Sequence, residues 1–177
     1  MKMNIIESFV RSKLPKYFVN NHVKKVVEEA LWLCEFYPKA DREIVNVGAW
    51  LHDVTHPCGG YGRDNHNIAS SKTAKAYLTS INFNKNKLKK VLHCIEAHRT
   101  SIPPEPKTIE AKIVASADNL THFIMFDFLS EKMGFEKLIE KLKRDLNAKF
   151  MLPEALEKAK KLSLDIEKKY NVNILKK

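Results

Sequence analysis

Two segments of this chain, residues 42–54 and 109–127, read as helices with almost no polar face. A helix that is apolar on most sides must be covered by other elements. The chain therefore has to wrap helices around two buried ones, and the rest of the sequence supplies the cover. Residues 22–37 place Val23, Val26, Val27, Ala30, Leu31 and Cys34 on one stripe, with Asn20 and Asn21 as candidate caps. Asp41 is suited to cap the helix over 42–54, Asp64 one over 65–79, and Thr108 that over 109–127. A further helix is expected over 85–98, and amphipathic helices over 131–147 and 154–170, the last with Pro153 at its first position. These final two show no polar residue at an inward position and read as scaffold. Loops fall at 55–63, where Pro57, Gly59, Gly60 and Gly62 cluster, and at 99–107, which holds Pro103, Pro104 and Pro106. Only "VNIL" at 172–175 has any strand character. The expectation is an all-α protein, a compact multi-helix bundle in one domain over 1–177. Its motif-bearing core covers about 20–125, and its C-terminal scaffold helices about 131–170.

Composition removes several classes of function. No apolar run approaches a membrane span, and charge throughout residues 1–20 leaves no secretory core. Cys34, Cys58 and Cys94 are odd in number and widely spaced, so a disulfide framework is not expected and a reducing cytoplasm is the expected compartment. The net charge of +10 favours anionic partners. Only five of the 31 basic residues are Arg, however, and most Lys alternate with Glu at helical spacing. That pattern is a solvated helix face and argues against a dedicated nucleic-acid surface.

Each of the two apolar helices carries an Asp where a hydrophobic residue belongs, Asp53 and Asp118. A buried carboxylate needs a pair, hydrogen bonds or a metal. Helical spacing also sorts the histidines. His98 continues the inward stripe Leu88–Val91–Leu92–Ile95, whereas His93 shares a face with Lys89, Lys90 and Glu96 and is expected in solvent. His66 leads a face of small residues, Ala69, Ser70 and Thr73, and His22 opens its helix. Five helices can thus bring His22, His52, Asp53, His66, His98 and Asp118 to one centre. Imidazole and carboxylate without thiolate suit a divalent Mn, Fe, Co, Ni or Mg better than structural zinc. His122, four residues after Asp118, is expected to support it or to be a buried hydrogen-bonded group.

The local wording carries a resemblance. "HVKKVVEEAL" at His22, "VGAWLHDV" at His52–Asp53, "DNHNIASSKTAKAYL" at His66, "VLHCIEAHR" at His98 and "PKTIEAKIVASADNL" at Asp118 together resemble the HD-domain superfamily of metal-dependent phosphohydrolases. The resemblance implies that His22, His52, Asp53 and Asp118 ligate one metal. It also implies that His66 and His98 either hold a second ion or contact phosphate or water. One ion per chain is favoured over two. The expected activity is hydrolysis of a small phosphoester, a nucleotide above all, by a metal-bound water. The alternatives are a di-iron oxygenase of the same fold, or a non-catalytic ligand-binding module. Arg63, Arg99 and Lys72, near His66 and His98, are the candidate phosphate contacts. "HDVTHPCGG" lacks the Glu-Asp pair of guanosine tetraphosphate hydrolases, "GGYG" is not the GYP signature, and His56 stands near where a Lys often follows the pair. The sequence is closest to small stand-alone members.

Overall fold

A computed structural model of the chain describes residues 3–56 and 65–175. The helices are α1 (Met3–Lys13), the short α2 (Lys16–Phe18), a π-helical turn (Val19–Val23), α3 (Lys24–Leu33), α4 (Arg42–Leu51), α5 (His66–Ser80), α6 (Lys85–Glu96), α7 (Ile109–Ile124), α8 (Phe126–Met133), α9 (Phe135–Ala148) and α10 (Pro153–Tyr170). The described residues contain no strand, and the protein is an all-α bundle. None of these helices is long and apolar enough to cross a membrane.

The two apolar segments become the central helices. α7 packs against α3, α4, α6 and α10, and α4 against α1, α3, α6 and α7. Ile113, Val114, Leu120 and Phe123 of α7 are at most 2% exposed. Each such side chain contributes roughly 1.5–3 kcal/mol by leaving water. Gly48 lets α4 approach α6 closely: a Cβ built there would lie 2.9 Å from Cys94 Cβ. Asp41 caps α4 by accepting from Glu43 N and Ile44 N, and Thr108 caps α7 by accepting from Ala111 N. Asp64 lies outside the described residues, and Asn65 at the start of α5 makes no side-chain cap bond.

Several boundaries differ from expectation. Asn20 and Asn21 cap nothing; they lie inside the π turn, because helix already begins after Pro15 and runs on into α3. Leu33 rather than Leu31 completes the inward stripe of α3, and Cys94 joins that of α6, where Leu88 and Leu92 are only half-buried. The expected helix over 131–147 is two, broken at Gly134, whose φ of +90° is open to glycine alone without strain. The "VNIL" segment forms no strand. No partner strand is available among the described residues, and the backbone N–H groups of Ile174 and Leu175 donate instead to Glu167 Oε1. The scaffold reading of the C-terminal helices also fails in one respect. Asp145 on α9 is fully buried and Ser163 on α10 with it.

Candidate metal centre

Five elements converge on one centre. The π turn carries His22, the end of α4 carries His52 and then Asp53, the first position of α5 is His66, the segment after α6 bears His98, and mid-α7 bears Asp118. The π turn buries Val19 and Val23 while His22 reaches the centre. Such widened turns occur often at functional sites. Ala115 and Ala117, on either side of Ser116 just before Asp118, are fully buried.

The six side chains meet around the Asp53 carboxylate. On one side, Asp53 Oδ2 lies 3.4 Å from His22 Nε2 and 3.5 Å from His52 Nε2. Asp118 Oδ1 lies 3.4 and 3.8 Å from the same two nitrogens, which are themselves 3.1 Å apart. On the other side, Asp53 Oδ1 lies 3.2 Å from His66 Nε2 and 3.4 Å from His98 Nε2. Despite these distances, Oδ1 is buried and accepts no well-aligned hydrogen bond.

The hydrogen-bond network assigns the tautomers. His52 Nδ1 and His98 Nδ1 each sit 2.7 Å from a backbone carbonyl, Ala49 O and Ile95 O, and must donate. Thr121 Oγ1 donates to Asp118 O at 2.7 Å, which leaves it to accept from His22 Nδ1 at 3.3 Å. In all three rings the lone pair is then on Nε2, and it faces carboxylate oxygen or another lone pair. Acceptor facing acceptor in a buried space is repulsive unless a cation lies between. The residues present therefore fit a divalent metal ion. His22, His52 and Asp118 offer ligand atoms within 4.8 Å of one another, and so do Asp53, His56 and His66.

Protons compete with a cation for the same nitrogens. Burial draws the His22 and His98 imidazoles down, but the adjoining Asp53 carboxylate, which would accept from either ring once protonated, and the charge of Asp118 outweigh it and raise both. Burial dominates at His52 and pushes it to about 4, so this ring offers its lone pair throughout the neutral range. Burial disfavours the Asp118 carboxylate, yet the charges of His22 and His52 bring it to about 2. Burial disfavours the Asp53 carboxylate as well, yet His52 and the other surrounding imidazoles hold it well below the usual carboxylate range.

The centre opens into a cavity of about 960 Å³, at the large end of the range for small-molecule sites. Arg99 lines it. Lys72 does not: it is exposed on α5, whose inner face is Asn67, Ser70, Ser71 and Ala74, and six residues from His66 is off that face. Arg63 lies outside the described residues. His93 points away from the centre as expected, but it is half-buried rather than in solvent, accepting from Lys107 N at 3.0 Å. His122 faces the cavity and meets Asp145 and Lys141 at 3.3 and 2.9 Å.

Two groups of lining residues lie outside the expected site set. His56 stacks against Phe18 beside His66; its signal is a His three residues after Asp53, on a loop without periodicity. Lys141, Arg144 and Lys149 line the cavity from α9 and the residue after it. Their i,i+4 spacing with acidic residues looked like an ordinary solvated face.

An all-helical bundle whose His and Asp side chains gather from five separated elements defines a class, the helical His/Asp metal-site proteins. The comparisons narrow it. The model of the HD domain matches residues 19–122, and the chain belongs to the HD-domain family. A crystal structure of a predicted HD superfamily hydrolase from an uncultured Thermotogales bacterium shares the fold. Its TM-score is 0.71 at 19% identity, over 96% of this chain and 89% of that one. No curated protein matches the sequence. Family and fold together support a metal-dependent HD-type hydrolase in general terms.

Proposed function

We propose that the protein is a metal-dependent phosphohydrolase acting on a small phosphoester, a nucleotide being the favoured class, within one domain spanning the chain. The observation that carries this reading is the set of imidazole lone pairs turned on carboxylate oxygens at the base of a roomy cavity. His22, His52, Asp118 and Asp53 would hold the ion. A divalent ion so held supplies Lewis acidity and lowers the pKa of a bound water toward neutrality. The chain's own groups do the rest. His66 and His98, 3.2 and 3.4 Å from Asp53 Oδ1, are placed to orient a water or to hold a proton for the leaving group. Arg99, which lines the cavity, is the candidate to meet a phosphoryl oxygen.

The division of Asp53 between two histidine pairs favours a second reading with two ions, the second held by His66, His98 and Asp53 Oδ1. Two irons there would reopen the oxygenase alternative.

The test is metal analysis of protein purified without chelator, beside His52→Ala and Asp53→Ala. It is followed by phosphate release from a nucleotide and phosphoester panel with Mn, Co, Ni and Mg each supplied. About one ion per chain, lost in both variants together with phosphate release, is the expected result. About two, mostly iron, with oxygen uptake, would move the protein to the second reading. Absence of metal under every supply would overturn both.

A further inference from the structure

Asp145 of α9 is wholly buried, yet it belongs to no part of the His/Asp centre. Lys141 Nζ donates to it at 2.6 Å, Lys149 Nζ lies at 3.1 Å, Arg144 Nε at 3.8 Å and His122 Nδ1 at 3.3 Å. One carboxylate is thus surrounded by three basic side chains besides His122. Burying Asp145 needs one of them. The other two leave a surplus of positive charge, and all three line the cavity.

An ordinary helix face would let these side chains spread into water. Here Lys141 and Lys149 are only 17% and 12% exposed. Asp145 gathers two ammonium groups, largely out of water, on the wall of a cavity. Like charges so held repel one another, and partial desolvation makes the repulsion dearer. Burial pulls the Lys141 ammonium below its ordinary value even with Asp145 beside it. An anion in the cavity would relieve both costs.

The position of the cluster is fixed by α7. His122, which Lys141 touches at 2.9 Å, follows Asp118 by four residues, about 6 Å along the helix axis on the same face. Asn119 ties the two rims together, donating to Thr100 Oγ1 and to Lys149 O, both at 3.4 Å. The same cavity is walled by Phe128, Leu129 and Met133 of α8, a surface for the apolar face of a ring.

We infer that Lys141, Arg144 and Lys149 form a second phosphate subsite, so that the preferred ligand is an organic bisphosphate. One phosphate lies at the His/Asp centre and the other about a helical turn away. The inference rests on the proposed hydrolase only for which phosphate is cleaved. A guanidinium and two ammonium groups are the donors that phosphate recognition asks for.

The test compares adenosine 5′-monophosphate with adenosine 3′,5′-bisphosphate on the purified protein at fixed ionic strength. Kd is read by calorimetry, or KM where turnover occurs. The bisphosphate is expected to bind about tenfold tighter, and this advantage falls to within about twofold in Arg144→Gln and in Lys149→Gln. Arg144 is 63% exposed, so its replacement leaves the fold intact. Lys137→Gln, on the exposed side of α9, removes the same charge and leaves the advantage unchanged. Equal affinities in the wild type, tight or weak, overturn the subsite, as does an advantage that survives both variants. Release of phosphate from monophosphates without preference sinks the subsite and leaves the hydrolase standing. A bisphosphate advantage lost in the variants, with no phosphate release from any substrate, upholds the subsite and counts against the hydrolase.

Discussion

Thr121 holds His22 from behind. Its hydroxyl donates to Asp118 O, so its lone pair fixes the Nδ1–H tautomer of His22 and turns Nε2 toward the carboxylates. Thr121→Val keeps the shape and deletes this acceptor. The variant is expected to fold, and to bind Mn(II) about 10- to 100-fold more weakly in a chelator competition. Unchanged affinity would show that the ring is held by packing alone. Asp145 makes a different residue-scale prediction. Burial disfavours its carboxylate, but the hydrogen bond from His122 and the Lys141 charge hold it well below the usual range. A depressed carboxylate contributes stability above its unfolded value, which is lost as the pH falls through the folded one. Asp145→Asn is expected to cost about 3 kcal/mol in urea unfolding near neutrality. The gap to wild type should narrow once the pH drops below about 4. A pH-independent gap would mean that the loss is one of packing. The two cases also differ in legibility. His52, Asp53 and Asp118 stood out in the sequence because they interrupt apolar helices. Asp145 and Lys141 did not, because an i,i+4 acid–base pair reads the same in solvent as against a cavity.

At the scale of elements, the periodicity of apolar residues located most of the helices, since burial alone sets that pattern. What it could not locate were changes of backbone. The π turn at Val19–Val23 has no composition of its own, and the break at Gly134 sits inside an otherwise continuous amphipathic stripe. The two described glycines constrain the fold for opposite reasons. Gly134 has open space around it and a backbone that only glycine adopts freely. Gly48 has ordinary helical backbone and no space, because Cys94 Cβ would stand 2.9 Å from an added methyl. Alanine normally stabilises a helix over glycine by about 1 kcal/mol. At Gly48 overpacking should reverse the sign, for a net loss of about 1–2 kcal/mol in urea unfolding. Cys94→Ala should not rescue it, since the obstructing atom is Cβ. A more stable Gly48→Ala would show that α4 and α6 can separate without cost.

The whole molecule joins its metal candidates from five elements spread between residues 22 and 118, so the site exists only when the bundle is assembled. An ion that binds there binds the folded state, and its binding energy becomes folding energy. At a hundredfold excess over Kd this amounts to about 2.7 kcal/mol, or a rise in Tm of roughly 5–10 °C for a chain of this size. Chelator-dialysed protein given graded Mn(II) should therefore melt progressively later, and Asp53→Asn, which loses the carboxylate shared by both halves of the centre, should not respond. The effect should also depend on pH with a definite sign. His22 and His98 hold protons more firmly than free imidazole, because Asp53 and the carboxylate charges outweigh the burial that opposes them. A cation bound by His22 must displace its proton, and one bound by Asp53 weakens the hold of that carboxylate on the His98 proton, so the Mn-dependent shift should be full near about pH 8 and shrink toward about pH 5. His52, pushed to about 4 by burial, contributes nothing to that decline. A shift that is the same at both ends of this range would mean that the ion displaces no proton from His22. A shift that persists in Asp53→Asn would place it elsewhere on the molecule.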